Sequence, residues 1–88
     1  MKSTNIAKKT IIVYVLNVLK ALSSEEFPVS QTAICNYLND IDVPCERKTI
    51  GRNIAYLIDF GYPIKKVDGK GYWLDKKELK TLKNKFIL

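Results

Sequence analysis

Residues 47–74 read RKTIGRNIAYLIDFGYPIKKVDGKGYWL, and the hydrophobic period changes within this stretch. In its first part, apolar side chains recur at the spacing of one helix face. The residues on that face are Ile50, Ile54, Leu57 and Ile58. In its second part, the short runs IKKV and GYWL flank the sequence DGKG and alternate with a period of two. The stretch therefore predicts a helix over about 46–59 and then a β-hairpin.

The ends of both elements carry their own signals. Gly61 suits the left-handed conformation that commonly ends a helix, and Pro63 follows it. Glu46 is not a favoured N-cap residue, although its charge suits the positive end of the helix dipole. Asp68-Gly69 predicts a two-residue type I′ turn, which requires positive φ at both of its central residues.

Two further helices precede this stretch. Residues 5–22 form a long amphipathic pattern, although a buried strand competes for its β-branched part at 11–15. The apolar stripe of that pattern consists of Ile12, Val15, Leu16, Leu19 and Leu22. Pro28 interrupts the chain after it, and Ser30 can then cap a second helix over about 31–39. Ile34 and Leu38 place one face of this second helix inward.

The last segment, residues 75–88, predicts a short and very basic helix. Asp75 and Glu78 have the spacing of a capping box, with Asp in place of the usual Ser or Thr. Leu79, Leu82 and Phe86 form a narrow apolar stripe. That stripe either packs on its own domain or docks against a partner.

The element order is long helix, short helix, tight turn, helix and hairpin. In one small domain, this order predicts an α+β fold of the winged helix-turn-helix type. We expect residues 1–74 to form a three-helix core with a two-stranded β wing, and residues 75–88 to add the extra C-terminal helix.

Composition limits the function. The 88 residues suffice for one domain, and their net charge is +6. This excess comes from both chain ends and from residues 46–70, whereas residues 23–45 carry four acidic side chains and no basic one. A basic small domain suggests an anionic partner such as nucleic acid.

Cysteine and histidine content exclude several kinds of site. The chain has two cysteines, Cys35 and Cys45, and no histidine, which is too few ligands for a tetrahedral zinc site. Cys35 reads as a buried free thiol, with a disulfide to Cys45 as the alternative. No histidine, phosphate loop or nucleophile–base pair is present, so we expect neither an enzyme nor a cofactor. The apolar run at 11–22 is too short to span a bilayer and lacks a cleavage site after it, which favours a reducing, cytoplasmic location.

A winged helix places its third helix in the major groove of DNA and its wing beside the phosphate backbone. The candidate DNA-binding residues on the third helix are Arg47, Lys48, Thr49, Arg52, Asn53 and Tyr56. The candidates on the wing are Lys65, Lys66 and Lys70, and candidate phosphate contacts elsewhere are Ser30, Gln31 and Lys8. Gly51 leaves a gap in the helix face, either by chance or to let the backbone approach DNA closely. RNA binding remains open but lacks an exposed aromatic platform for stacking.

The segment RKTIGRNIAYLIDFGYPI, followed by GKGYWL, resembles the N-terminal winged helix of WYL-domain and DeoR-like transcriptional regulators. The residues that match the family's recognition helix are Arg47, Thr49, Ile50, Arg52, Ile54 and Leu57. Those that match its wing are Gly61, Tyr62, Pro63, Ile64, Gly71, Tyr72 and Leu74. The resemblance covers about 45–74 closely. Asn53 replaces the family's usual Asp, and Glu46 stands where a capping Ser is common.

The resemblance implies a bacterial or phage transcriptional regulator, in the first place a repressor. It would bind double-stranded DNA sequence-specifically as a homodimer. The family continues into a ligand-sensing domain where this sequence stops, so the chain is either the DNA-binding part of a larger regulator or a stand-alone protein. We expect no small-molecule ligand for this chain. The alternative function is a winged-helix module that binds another protein.

Overall fold

The computed structural model describes the backbone of residues 8–86 and the side chains of residues 10–82. Its elements are α1 (Lys8–Leu22), α2 (Gln31–Asp40), α3 (Arg47–Asp59), β1 (Ile64–Val67), β2 (Gly71–Leu74) and α4 (Lys76–Phe86). This is the predicted α+β architecture: three helices, an antiparallel two-stranded sheet and a C-terminal helix in a winged-helix-like order. Among the described residues, no helix is long and apolar enough to cross a membrane.

The core lies where α1, α2 and α3 meet the base of the hairpin. Its buried side chains are Ile11, Val15, Val18, Leu19, Ile34, Leu38, Val43, Ile50, Ile54, Leu57, Ile64 and Leu74. The stripe predicted for α1 is partly wrong. Ile11 and Val18 belong to the core, whereas Leu22 is 50% exposed because it lies at the helix end, where the chain turns away.

Two predicted N-caps are present. Oγ of Ser30 accepts a hydrogen bond from the backbone N–H of Ala33 at 3.0 Å, so it caps α2. Oδ1 of Asp75 accepts one from the backbone N–H of Glu78 at 3.0 Å, so it caps α4. The second half of the capping box is missing. The backbone N–H of Asp75 donates to the carbonyl oxygen of Pro63 at 2.9 Å, and the Glu78 carboxylate pairs with Lys65.

The turn between α2 and α3 depends on Asp42, which has a φ of 63°. Its N–H donates to the carbonyl oxygen of Asn39 at 3.1 Å, and the N–H of Val43 donates to that of Leu38 at 2.8 Å. This pair of bonds is a Schellman motif, with Asp in the left-handed position that glycine usually takes. The motif reverses the chain tightly and buries Val43.

The end of α3 confirms the role predicted for Gly61, which has a φ of 102°. The N–H of Gly61 donates to Ile58 O at 2.9 Å, and the N–H of Tyr62 donates to Leu57 O at 3.0 Å. This second Schellman motif directs the chain into the wing. At the other end of α3, the side chain of Glu46 makes no capping hydrogen bond, as expected.

The hairpin is confirmed, but the predicted turn type is wrong. Val67 pairs with Gly71, so three residues form the loop instead of two. The N–H of Lys70 donates to Val67 O at 3.0 Å. Gly69 has a φ of 78°, whereas Asp68 does not have the positive φ that a type I′ turn requires.

The second strand of the hairpin also pairs with a segment outside it. Val29, in the loop before α2, exchanges two backbone hydrogen bonds with Tyr72, at 2.7 and 2.9 Å. Gly71 has a φ of 139°, and a Cβ atom there would clash with the carbonyl group of Val29 and with N of Ser30. Only glycine leaves room for this approach, which joins the wing to the α1–α2 loop.

Candidate nucleic-acid interface

The exposed face of α3 carries three of the predicted cationic side chains. Lys48 and Arg52 are one helical turn apart, and Tyr56 continues the same line after another turn. Arg47 is the first residue of the helix and is also exposed. The opposite face of α3 is in the core, so these side chains project away from the protein.

Asn53 does not belong to that surface, so its predicted place on the exposed face of α3 is wrong. The residue is only 7% exposed, and Nδ2 donates to the carbonyl oxygen of Thr49 at 2.7 Å. Its position one turn before Leu57 places it at the edge of the core stripe, where the amide bonds to its own helix. Thr49 lies on the same side and is half-buried.

Ile58 shows the opposite error. The sequence stripe places it inward, but it is 43% exposed. Its side chain leaves the helix in nearly the same direction as position 51, which lies two helical turns earlier. Gly51 faces Gln31 of α2, whereas the side chain of Ile58 faces solvent.

The structure gives a reason for glycine at position 51 that differs from both interpretations of the sequence, a chance gap and a close approach to DNA. A Cβ atom at this position would lie 2.6 Å from Nε2 of Gln31. That nitrogen donates a hydrogen bond to the carbonyl oxygen of Arg47 at 3.2 Å. Oε1 of Gln31 accepts a bond from the hydroxyl of Tyr72 at 3.3 Å. The missing side chain of Gly51 therefore makes room for an amide that links α2, α3 and the wing.

The other candidate phosphate contacts have mixed positions. Gln31 is half-buried and both heteroatoms of its amide already have protein partners, so its main role is to hold elements together. Ser30 is half-buried and uses its hydroxyl oxygen as the cap of α2. The side chain of Lys8 lies outside the described residues.

The three wing lysines differ in their surroundings. Lys66 and Lys70 are exposed, and neither has an ion-pair partner in the described part of the chain. Nζ of Lys65 pairs with Oε1 of Glu78 at 3.0 Å. Lys66 is opposite Tyr72 in the register, so it is on the sheet face turned toward α2, and Lys65 is on the face turned toward α4. Two of the three predicted cations are therefore free to approach an anion.

A surface cleft beside the cationic face was not predicted. It has a volume of about 400 Å³ and is lined by Ile12, Tyr56, Asp59 and Phe60. Phe60 is 79% exposed although it is aromatic. Its spacing of four residues from Tyr56, away from the core stripe, is the sequence signal that could have indicated this cleft.

The described residues contain no group of three or more His, Cys, Asp or Glu side chains that could hold a metal ion. Comparison with protein-family models, with curated proteins and with solved structures finds no match for this chain. The resemblance to the winged helix of WYL-domain regulators therefore rests on the residues that carry it, and it stays a prediction.

Proposed function

We propose that this chain binds double-stranded DNA sequence-specifically and represses transcription, with α3 in the major groove and the wing on the phosphate backbone. The observation that carries the proposal is the exposed cationic face of α3, formed by Arg47, Lys48 and Arg52, in a winged-helix-like fold. A helix of this kind fits the width of the major groove, where base edges can be distinguished.

The proposed contacts divide into two kinds. Arg52 and Arg47 have planar guanidinium groups, which can form paired hydrogen bonds with the O6 and N7 atoms of guanine. Lys66 and Lys70 would contact phosphate groups, which adds affinity and fixes orientation without reading sequence. Tyr56 continues the line of Lys48 and Arg52 and would add a contact there, and the half-buried Thr49 would add one at the edge of this face.

We further propose that two copies act together as a homodimer. One recognition helix spans only a few base pairs, whereas a two-fold dimer reads two half-sites about 34–36 Å apart. A palindromic preferred sequence would support this arrangement. A single half-site as the preferred sequence, bound by a monomer in solution, would contradict it.

The test is selection of bound duplexes from a random DNA library, with the wild type and with Arg47→Ala/Arg52→Ala. Lys76→Ala/Lys77→Ala is the matched control, because it removes the same charge from exposed positions on α4. We expect a sequence motif to be enriched by the wild type and the control and lost in the arginine variant. No enrichment by the wild type at low salt would reject the proposal.

The second candidate function is a module that binds another protein, and the cleft beside α3 favours it. Phe60 and Tyr56 present aromatic surface to solvent there, and such side chains are enriched at protein interfaces. Phe60→Ser separates the two functions. Loss of a protein partner in Phe60→Ser, with that partner retained by Arg47→Ala/Arg52→Ala, would favour this second candidate.

A further inference from the structure

The two cysteines meet at the turn that leads into α3. Cys35 is on α2, and Cys45 lies in the irregular segment directly before α3. Sγ of Cys35 donates a hydrogen bond to the carbonyl oxygen of Cys45 at 3.2 Å. Both side chains are half-buried and pack against the core cluster. The thiol of Cys35 therefore lies against the backbone of Cys45, ten residues later in the sequence.

Asn39 holds this pair together. Its Oδ1 accepts a hydrogen bond from the backbone N–H of Cys45 at 3.2 Å, and its Nδ2 lies 3.6 Å from Sγ of Cys35. The amide therefore fixes the backbone that carries one cysteine and directs a donor at the sulfur of the other. This arrangement orders the pair while both sulfurs are in the thiol form.

The thiol of Cys45 is affected by its neighbour as well as by its surroundings. Burial raises the pKa of this thiol to about 11, and the charge and hydrogen bonding of Cys35 act in the same direction. Cys45 therefore holds its proton more strongly than an ordinary thiol does.

We propose that Cys35 and Cys45 are a modification site, at which a low-molecular-weight disulfide such as oxidised glutathione converts the thiol pair into an intramolecular disulfide. The geometry that carries this inference is the contact between Cys35 and Cys45 together with the bridging amide of Asn39. It does not depend on whether the protein binds DNA.

The reaction has two exchange steps. The thiolate of Cys35 attacks one sulfur of the oxidant, whose S–S bond breaks, and one glutathione leaves. Cys45 loses its proton and attacks the sulfur of Cys35 in this mixed disulfide, and the second glutathione leaves. The two thiol protons appear on the two released glutathione molecules, and the two electrons reduce the oxidant.

The product would tether the start of α3 to α2. The first turn of α3 has no side-chain cap, because Glu46 makes no such hydrogen bond. Among the described residues, the first turn of α3 is joined to α2 by the hydrogen bond from Gln31 to the carbonyl oxygen of Arg47. A disulfide at Cys45 would lie two residues before Arg47. It would therefore restrain the first turn of α3 from unwinding.

The first experiment treats the reduced full chain with oxidised glutathione at high dilution and measures the intact mass after alkylation. We expect a monomer that is lighter by two hydrogens and carries neither glutathione nor alkyl groups. Cys35→Ser and Cys45→Ser are the controls, and each should retain one glutathione or one alkyl group. A wild type that stops at mixed disulfides, or that cross-links two chains, would overturn the proposal.

The second experiment measures amide hydrogen exchange over residues 47–50 before and after oxidation. We expect slower exchange in this first turn of α3, with little change in the hairpin at 64–74. Unchanged exchange in the turn would overturn the tether, even where the disulfide forms. Both measurements are independent of DNA, so their failure and that of the proposed function are distinguishable.

Discussion

The hydroxyl of Tyr72 donates a hydrogen bond to Oε1 of Gln31 at 3.3 Å, and this bond joins the second strand of the wing to α2. Nε2 of the same Gln31 donates to the carbonyl oxygen of Arg47 at 3.2 Å. One side chain thus connects the wing, α2 and the first residue of α3. Because the proposed DNA contacts lie on α3 and the wing, this connection is one of those that hold them in position, with the pairing of Val29 and Tyr72.

The first prediction concerns this bond. Tyr72→Phe keeps the ring and removes only the hydroxyl, so it should lower the free energy of unfolding by about 1 kcal/mol, as measured by urea denaturation. Tyr37→Phe is the matched control, because its hydroxyl has no hydrogen-bond partner among the described residues. Equal effects of the two substitutions would show that the bond to Gln31 contributes nothing.

The second prediction compares two glycines that both have positive φ. Gly71→Ala should destabilise severely, because its Cβ would clash with the backbone of Val29 and its φ of 139° is strained for alanine. Gly61→Ala has no atom within 4 Å of its Cβ, so only the strain of its φ of 102° remains. We expect a loss of about 1–3 kcal/mol at Gly61 and a larger one at Gly71, by thermal or urea unfolding.

The test is which of the two substitutions lowers the free energy of unfolding more. If Gly61→Ala destabilises the protein at least as much as Gly71→Ala does, this result would contradict the close approach of Val29 to the wing. A folded Gly71→Ala should also lose the paired hydrogen bonds between Val29 and Tyr72. Faster amide exchange at both of these residues, with α2 unaffected, is the expected sign of that local loss.

The elements were predictable because their signals are local. The period of α3, the alternation of both wing strands and the capping group of Ser30 each act within a few residues. The same holds for Gly61, whose backbone conformation follows from its place after the helix. The pairing of Val29 with Tyr72 joins residues 43 positions apart, and no pattern in the sequence encodes it.

The composition of the α3 face was harder to predict for a related reason. Helical spacing gives the direction of a side chain, but not which element lies in that direction. Asn53 and Ile58 were assigned to the wrong environment because the positions of α1 and α2 around α3 were unknown. Gly51 was interpreted through DNA for the same reason, since its neighbour Gln31 is 20 residues away on α2.

The third prediction concerns Ser23, which is 2% exposed. Its Oγ donates to the carbonyl oxygen of Leu19 at 2.6 Å and accepts from the backbone N–H of Leu74 at 3.0 Å. Ser23→Ala would leave that buried N–H without a partner, so it should cost about 1–3 kcal/mol of unfolding free energy. The change in thermal or urea unfolding measures it.

Ser24→Ala is the control for Ser23→Ala. Oγ of Ser24 accepts a hydrogen bond from the N–H of Phe27 at an exposed site, where water can replace it. We expect a smaller loss for Ser24→Ala. A loss at Ser23 no larger than at Ser24 would mean that Leu74 finds another acceptor, and that Ser23 does not tie α1 to the wing.

The fourth prediction tests the proposed wing contacts through salt dependence. Each phosphate contact that is removed should reduce the slope of log K against log salt by about 0.9. Lys66→Ala and Lys70→Ala should each lower the slope by up to this amount, while the preferred DNA sequence stays the same. Titrations of a fixed duplex at several salt concentrations measure it.

Lys65→Ala is the matched control within the same wing. Its ammonium group already pairs with Glu78 at 3.0 Å on the face turned toward α4, so its loss should change the slope less. Glu78→Gln releases Lys65 and should not lower the slope. A slope unchanged by Lys66→Ala and Lys70→Ala would mean that the wing does not contact the phosphate backbone, even if α3 binds DNA. A larger effect from Lys65→Ala than from the other two would place DNA on the α4 side of the wing instead.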